Sequence, residues 1–452
     1  MRFLFIFPFL ITPVFSEILI DLDQSLNLAY EKNQQLLILT EMVQEAKAGK
    51  TISLSNWLPQ IEGYSAGYYN GDPQIFPLNS HTTFLTNLRL SQTLFEVKSY
   101  YDVKISDLNF KKVDLLYQSL KNDITFAVRK QYYKVVLDIE KVATQQENVN
   151  LLTQLLKRMK DRLKIGEAIA LNVNQSQVAL ASQKSKYYQS LKVLKDDLHE
   201  LAYLLGYNPD EIEIETKDKW FSIDSFSFLN DLYLRAKTQD DIAYVFSKNE
   251  ILTLETEVIR SNPVIKMQNM ALKMMNETLK KSYGEYFPKL QLIANYGGLP
   301  NPFDFYPSTH INNQVFQYGV GLELKWNLFD GLKREGTIQK TRHQKLAAYH
   351  ELENLTQKVS VGFKDSITGL QTAIAQIISS EENVSLAKLT VEQAYDQLEI
   401  GYYTIYDYQI ALDQLVQVRN QLSESKFDYY LAFFELEKVL GKEIGKAIHA
   451  RE

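Results

Sequence analysis

Apolar and polar positions along the chain predict helices and strands in one order, and that order occurs twice. A helix is predicted from Asp21 to about Ser55 and another from about Pro263 to Tyr283; each is followed by a proline, Pro59 or Pro288, that cannot continue it. Two strands follow in each case. The first strand of the first pass, Gln60 to Tyr69, is rich in Gly and Tyr and alternates poorly. The returning strands alternate well. Leu88, Leu90 and Leu94 oppose Arg89, Ser91 and Thr93, and Val320, Leu322, Leu324, Trp326 and Leu328 oppose Glu323, Lys325 and Asn327. Period two with one apolar and one charged face predicts a sheet that separates two environments. Turns are expected at Asn70-Gly71-Asp72-Pro73 and at Gly297-Gly298-Leu299-Pro300-Asn301-Pro302.

Two long proline-free helical stretches come next, about Val97 to Lys164 and about Lys333 to Ile400. Each would extend roughly 100 Å at the helical rise. A shorter helix closes each pass, Asn172 to Leu205 and Asp407 to Leu440. In the second, Leu412, Leu415, Val418, Leu422, Leu436, Val439 and Leu440 form a stripe for neighbouring helices.

The residues themselves repeat as well as the pattern. Leu163-Lys164-Ile165-Gly166 aligns with Leu398-Glu399-Ile400-Gly401, and Leu180, Leu201 and Leu205-Gly206 meet Leu415, Leu436 and Leu440-Gly441 at the same offset. Asn56-Trp57-Leu58-Pro59-Gln60-Ile61 matches Glu285-Tyr286-Phe287-Pro288-Lys289-Leu290. A third block, Leu88 to Phe95, matches Leu322 to Phe329. Duplication therefore organises the chain: repeat one over 17–207, an acidic linker over 208–261, repeat two over 262–441 and a tail over 442–452.

The first residues predict export. Arg2 supplies a positive start, Phe3 to Ile11 a short apolar run, and Val14 and Ser16 a cleavage signal before Glu17, so 1–16 reads as a signal peptide. No later window approaches 18 consecutive apolar residues, so no transmembrane helix is expected in the mature chain. A formal charge of −6 argues against nucleic acid as a partner. The absence of cysteine excludes disulfides, thiolate chemistry and an acylated N-terminal cysteine. The 28 tyrosines suit surfaces that are part apolar and part wet, membrane interfaces among them. His343 and His350 stand seven apart, a poor spacing for a metal. With no phosphate loop, nucleophile elbow or metalloprotease motif, neither a cofactor nor enzymatic activity is expected.

Four strands in one chain leave open edges, which lipid does not tolerate. Three copies would give a twelve-stranded barrel with a water-filled interior, its charged strand faces lining the lumen. The expected fold class is thus an α+β membrane protein, a homotrimer whose β-barrel is continued by a helical periplasmic barrel.

The ordered features Phe287-Pro288-Lys289-Leu290, Leu328-Phe329-Asp330-Gly331, Leu398-x-x-Gly401-x-x-Thr404-x-x-Asp407 and Leu436-x-x-Val439-Leu440-Gly441 resemble the TolC outer-membrane efflux family, over nearly all of the mature chain. The resemblance implies a homotrimer in outer-membrane lipid that docks to a periplasmic adaptor and an inner-membrane pump. The implied function is a passive exit duct for small molecules. The same duct serving type I protein secretion is the closest alternative, and a poreless periplasmic coiled-coil scaffold a third reading.

Candidate site residues cluster at the turns. Gly166 and Gly401, with Asn172 and Thr404 just beyond them, sit at helix C-caps and helix starts; the resemblance adds that such turns form the periplasmic mouth and touch the adaptor. Asp407 reads either as the third helical residue of a capping box begun by Thr404 or as cap and gate together, because three-fold symmetry would gather three carboxylates that attract cations. Its counterpart Asn172 is uncharged. The family's tyrosine before the glycine is Leu398 here, an arginine after it is Tyr403, and a second aspartate is Ile410. Tyr403, Leu398 and Ile410 are therefore the candidates to complete a constriction with Asp407.

Overall fold

A computed structural model of the protein describes residues 18–69, 82–207, 214–216, 227–238, 246–300 and 314–441. The expected signal peptide, the Asn70–Pro73 turn, the stretch from Asn301, most of the acidic run from Asp210 and the tail from Lys442 lie outside these residues. In chain order the elements are β1 (Ile18–Ile20), α1 (Leu22–Lys32), α2 (Gln34–Ser55), β2 (Gln60–Tyr69), β3 (Thr82–Phe95), α3 (Val97–Lys164), α4 (Ala170–Leu204), β4 (Ile214–Thr216), α5 (Ser227–Thr238), α6 (Lys248–Ser261), α7 (Pro263–Gly284), β5 (Lys289–Pro300), β6 (Gln314–Lys325), α8 (Lys333–Glu399) and α9 (Ile405–Leu440). The chain forms two compact units, and each takes part of both repeats: one comprises residues 40–117 and 264–355, the other the remaining segments.

The sheet lies in the first of these units. Its strand order is β2-β3-β5-β6, antiparallel throughout, so the two hairpins of the repeats join edge to edge through β3 and β5. Register places Ile61, Leu90, Ala294 and Val320 in one row and Gly63, Leu88, Tyr296 and Tyr318 in the next, all on one face. Glu62 and Arg89, Gln291 and Glu323, and Lys289 and Lys325 pair on the other face. Leu322 is 66% and Leu324 63% exposed, so the apolar face meets no core among the described residues.

Two details depart from the simple pattern. A register shift between Thr93 and Phe95 brings Phe95 opposite Leu290, so Phe95 takes the place on the apolar face that alternation gives to Leu94. Gly297 to Pro300 continue β5 instead of turning. The physical reason is close strand approach: a Cβ on Gly297 would stand 2.5 Å from the Thr86 carbonyl oxygen and 2.7 Å from the Asn87 Cα. Pro59 and Pro288 each stand directly before a strand. Helices α2 and α7 have already stopped at Ser55 and Gly284, with turn bonds such as Leu58 N to Ser55 O (3.1 Å) and Phe287 N to Gly284 O (3.2 Å).

The helical unit shows the duplication in its joints. The helix expected from Asp21 to Ser55 is broken at Asn33, whose extended backbone ends α1 and whose side chain donates to the Leu204 carbonyl at 3.0 Å and accepts from Gln35 N at 3.0 Å. Asn262 does the same between α6 and α7, donating to the Val439 carbonyl at 2.8 Å. Capping boxes begin both α1 (Asp21, Gln24) and α6 (Ser247, Glu250). Helix α6, inside the segment read as linker, is thus the counterpart of α1.

The C-cap glycines close these joints. Gly206 and Gly441 are left-handed, at φ +79° and +70°, and added Cβ atoms would stand 2.5 Å from the Lys32 carbonyl oxygen and 2.6 Å from Pro263 Cδ. The core beside them is aromatic. Tyr132, Tyr133, Tyr429 and Tyr430 are buried, with Tyr133 stacked on Tyr430 at a centroid separation of 4.9 Å. Several tyrosines that composition assigns to wet interfaces are therefore core residues. Nearby, Arg129 of α3 pairs with Glu437 of α9 at 2.7 Å.

Candidate gate at the glycine turns

Both turns lie in the helical unit and are built alike at the helix stop. In the first, Glu167 N donates to Arg162 O at 2.8 Å and Gly166 N to Leu163 O at 3.2 Å; in the second, Tyr402 N donates to Gln397 O at 2.9 Å and Gly401 N to Leu398 O at 3.2 Å. This is the paired-bond helix stop that needs a left-handed residue, and both glycines stand at φ +81°. Nothing lies within 4 Å of a Cβ added at either, so the backbone conformation alone requires glycine.

The helix starts differ. Thr404 is the N-cap of α9, and Asp407 closes a reciprocal box: Thr404 N and Oγ1 donate to Asp407 Oδ2 at 2.8 and 2.7 Å, and Asp407 N donates to Thr404 Oγ1 at 3.3 Å. The Thr404 hydroxyl, then its backbone amide, holds the Asp407 carboxyl below the usual carboxylate range. At the start of α4 the N-cap is Ile169, with no side-chain bond; Asn172 N reaches the Ile169 carbonyl at 3.0 Å.

One apolar cluster joins the two turns. Val149, Leu152, Leu155 and Met159 of α3, Ala179 and Leu180 of α4, Ala394 and Leu398 of α8, and Ile405, Tyr408 and Leu412 of α9 pack together. The structure thereby brings the candidates to one end of the helical unit but separates their environments. Leu398 is 8% exposed and belongs to this core, whereas Tyr403 and Ile410 are 46% and 51% exposed. Leu398 thus supports the turn from within. Exposed apolar side chains surround both turns: Ile165, Ile169, Ile400, Tyr402 and Tyr406.

Sequence reading missed the charged strap beside them. Arg162 stands 3.6 Å from Glu167 and 3.8 Å from Glu399, and Arg158 stands 3.8 Å from Glu399. The Tyr395 hydroxyl donates to Glu399 at 2.9 Å, and its ring lies under the Arg158 guanidinium and edge-on to Tyr408. The strap links the end of α3 in one repeat to the end of α8 in the other. Arg158 and Arg162, one helical turn apart, were its only signal in the sequence, since Glu399 is distant in the chain. Among the described residues no group of three or more His, Cys, Asp or Glu could hold a metal, and no helix is long and apolar enough to cross a membrane.

Comparison with known proteins agrees with this architecture. Residues 255–442 match the family model described as "Outer membrane efflux protein". The chain is 20% identical over 416 residues to the outer membrane protein TolC of Vibrio cholerae serotype O1, covering 92% of this chain and 89% of that protein. It is 21% identical over 423 residues to the outer membrane efflux protein BepC of Brucella suis biovar 1, covering 92% and 84%. In fold it is similar to a crystal structure of CusC, at a TM-score of 0.76 and 17% identity over 94% of each chain. By sequence over residues 255–442 and by fold over nearly its whole length, the chain is similar to TolC-type outer membrane efflux proteins.

Proposed function

We propose that the chain is the outer-membrane exit duct of a tripartite efflux system and passes small molecules to the exterior. One observation carries the reading: a four-stranded antiparallel sheet whose outer strands β2 and β6 each pair on one side only among the described residues, with an exposed apolar face and a charged one. Such a sheet is stable in lipid only when its edges are closed. Three copies close it as twelve strands, with Leu322 and Leu324 toward lipid and Glu323 and Lys325 toward water. The helical units of the same copies form the periplasmic conduit. The efflux names of the matched family and of the BepC relative favour small-molecule export over protein secretion.

The glycine turns are the closing end of that conduit and its contact with a periplasmic adaptor, behind which stands an inner-membrane pump. Asp407 caps α9 and, repeated three times, rings the mouth with carboxylates; Tyr403 and Ile410 fill the space beside it. The Arg158–Arg162–Glu399 strap holds α3 and α8 together in the closed state.

Native mass in detergent and planar-bilayer recording test this reading. A trimer that conducts is expected; a stable monomer without conductance overturns it. Asp407→Asn is expected to weaken cation selectivity and block by divalent ions while leaving the trimer intact. Unchanged conduction with lowered thermal stability would reduce Asp407 to a helix cap.

A further inference from the structure

The first helical pair buries two facing carboxylic acids at positions where the second pair carries alanine. Asp138 of α3 is 5% exposed and Asp197 of α4 is 7% exposed, and their carboxyl groups face one another within hydrogen-bonding reach. Asp197 is well held. Gln131 Nε2 donates to its carboxylate at 3.0 Å and to its backbone carbonyl at 2.9 Å, and Lys134 Nζ donates to the same carboxylate oxygen at 2.7 Å. No donor reaches Asp138 Oδ2, which is buried.

The charges around the pair do not balance two carboxylates. Lys134 is committed to Asp197. Lys141, the other cation facing Asp138, is already paired with Glu424 of α9 at 2.8 Å, and Asp428 of α9 also acts on Lys141. Two carboxylates in contact and away from water cannot both remain charged at ordinary cost. One proton between them removes a charge and converts an acceptor without a partner into a donor.

The fold does not demand the acids. The constant offset that carries Gly166 onto Gly401 carries Asp138 onto Ala373 and Asp197 onto Ala432, both of them buried. It likewise carries Lys134 onto Gly369 and Gln131 onto Ser366. The duplicated helix pair therefore fills the same layer with two methyl groups. The acids, their lysine and their glutamine are an addition specific to the first repeat.

We propose that Asp138 and Asp197 form an internal proton-binding site, in which one shared proton ties α3 to α4 and whose emptying loosens that helix pair. Burial, then the neighbouring Asp197, pushes the Asp138 carboxyl up to about 7. Burial acts upward on Asp197 too, but hydrogen bonds from Asp138, Lys134 and Gln131 hold it below the ordinary range. An acid raised in the folded state binds its proton more tightly there than in the unfolded chain. Its contribution to stability is therefore largest under mildly acidic conditions, falls as pH rises from the ordinary carboxylate range toward 7, and is level above that. The site does not depend on the duct reading, because it requires only the helical unit.

The test is the thermal midpoint of the full-length protein in detergent, followed from about pH 5 to about pH 8.5. The natural protein should lose stability across that range. Asp138→Asn, neutral and able to donate to Asp197, should flatten the profile and raise the midpoint at the alkaline end. Asp138→Ala with Asp197→Ala, which copies the second repeat, should flatten it as well. A slope that persists in both variants overturns the proposal. Infrared spectroscopy gives a readout independent of variant folding. A protonated-carboxyl band should be present in the natural protein at mildly acidic pH and be lost toward the alkaline end; its absence overturns the site.

Discussion

The two glycine turns are copies of one design that have diverged on one side only. Their helix stops share the same pair of bonds around a left-handed glycine, whereas their helix starts differ: Thr404 and Asp407 form a complete box before α9, and Ile169 leaves the first amides of α4 without a side-chain cap. The difference separates what a fold requires from what it permits. A left-handed residue is a condition on the backbone, and only glycine meets it without strain. A cap contributes stability but can be replaced by water, so that position is free to specialise.

The largest effects are expected where a left-handed glycine also touches its surroundings. Gly206→Ala and Gly441→Ala should cost about 2–5 kcal/mol, combining left-handed strain with a clash at the Lys32 carbonyl or at Pro263. Gly166→Ala and Gly401→Ala, with open space around them, should cost about 1–2 kcal/mol from strain alone. Denaturation of the purified protein measures all four, and equal losses at both ends would contradict the assignment of separate causes.

Exchanging the caps sharpens the comparison. Thr404→Ala should destabilise by about 1 kcal/mol, and Ile169→Ser, at an extended and exposed position, should stabilise by about 0.5–1 kcal/mol. Thermal midpoints moving in opposite directions are the expected outcome.

Acid exposes the charge difference. The Asp407 carboxyl sits below its unfolded value, so its contribution is present above the ordinary carboxylate range and is lost as pH falls through the folded value. Asp407→Ala should therefore reduce the acid-side loss of stability, whereas Asn172→Ala should leave that limb unchanged. The smallest effect is expected from Arg162→Ala. Its side chain is 30% exposed and its partner Glu399 42% exposed, so the stability change should stay within about 0.5 kcal/mol and shrink further with salt.

Much of this was legible in the sequence because it is written in local order. The long helices α3 and α8 follow from unbroken proline-free stretches, and strands β3 and β6 from period two. The four cap glycines and the Thr404–Asp407 box follow from spacing alone. The break at Asn33 was not legible, because the carbonyl it bonds belongs to Leu204, far along the chain. Nor was the inward placement of Leu398, since the turn looks equally apolar on both sides until α3, α4, α8 and α9 pack. Gly297 was misread for the same reason: its neighbour is β3, not a turn.

By itself, then, the sequence determined the duplication, the element types, the two faces of the returning strands and the glycine positions, all properties of residues within a few steps of one another. Only the tertiary structure decided that β3 pairs with β5, that Arg158 and Arg162 meet Glu399, and that Asp138 meets Asp197. Those pairings join segments separated by tens to hundreds of residues. Local pattern can place a charge on a face, but which charge it meets depends on how distant helices and strands bury their apolar surfaces together.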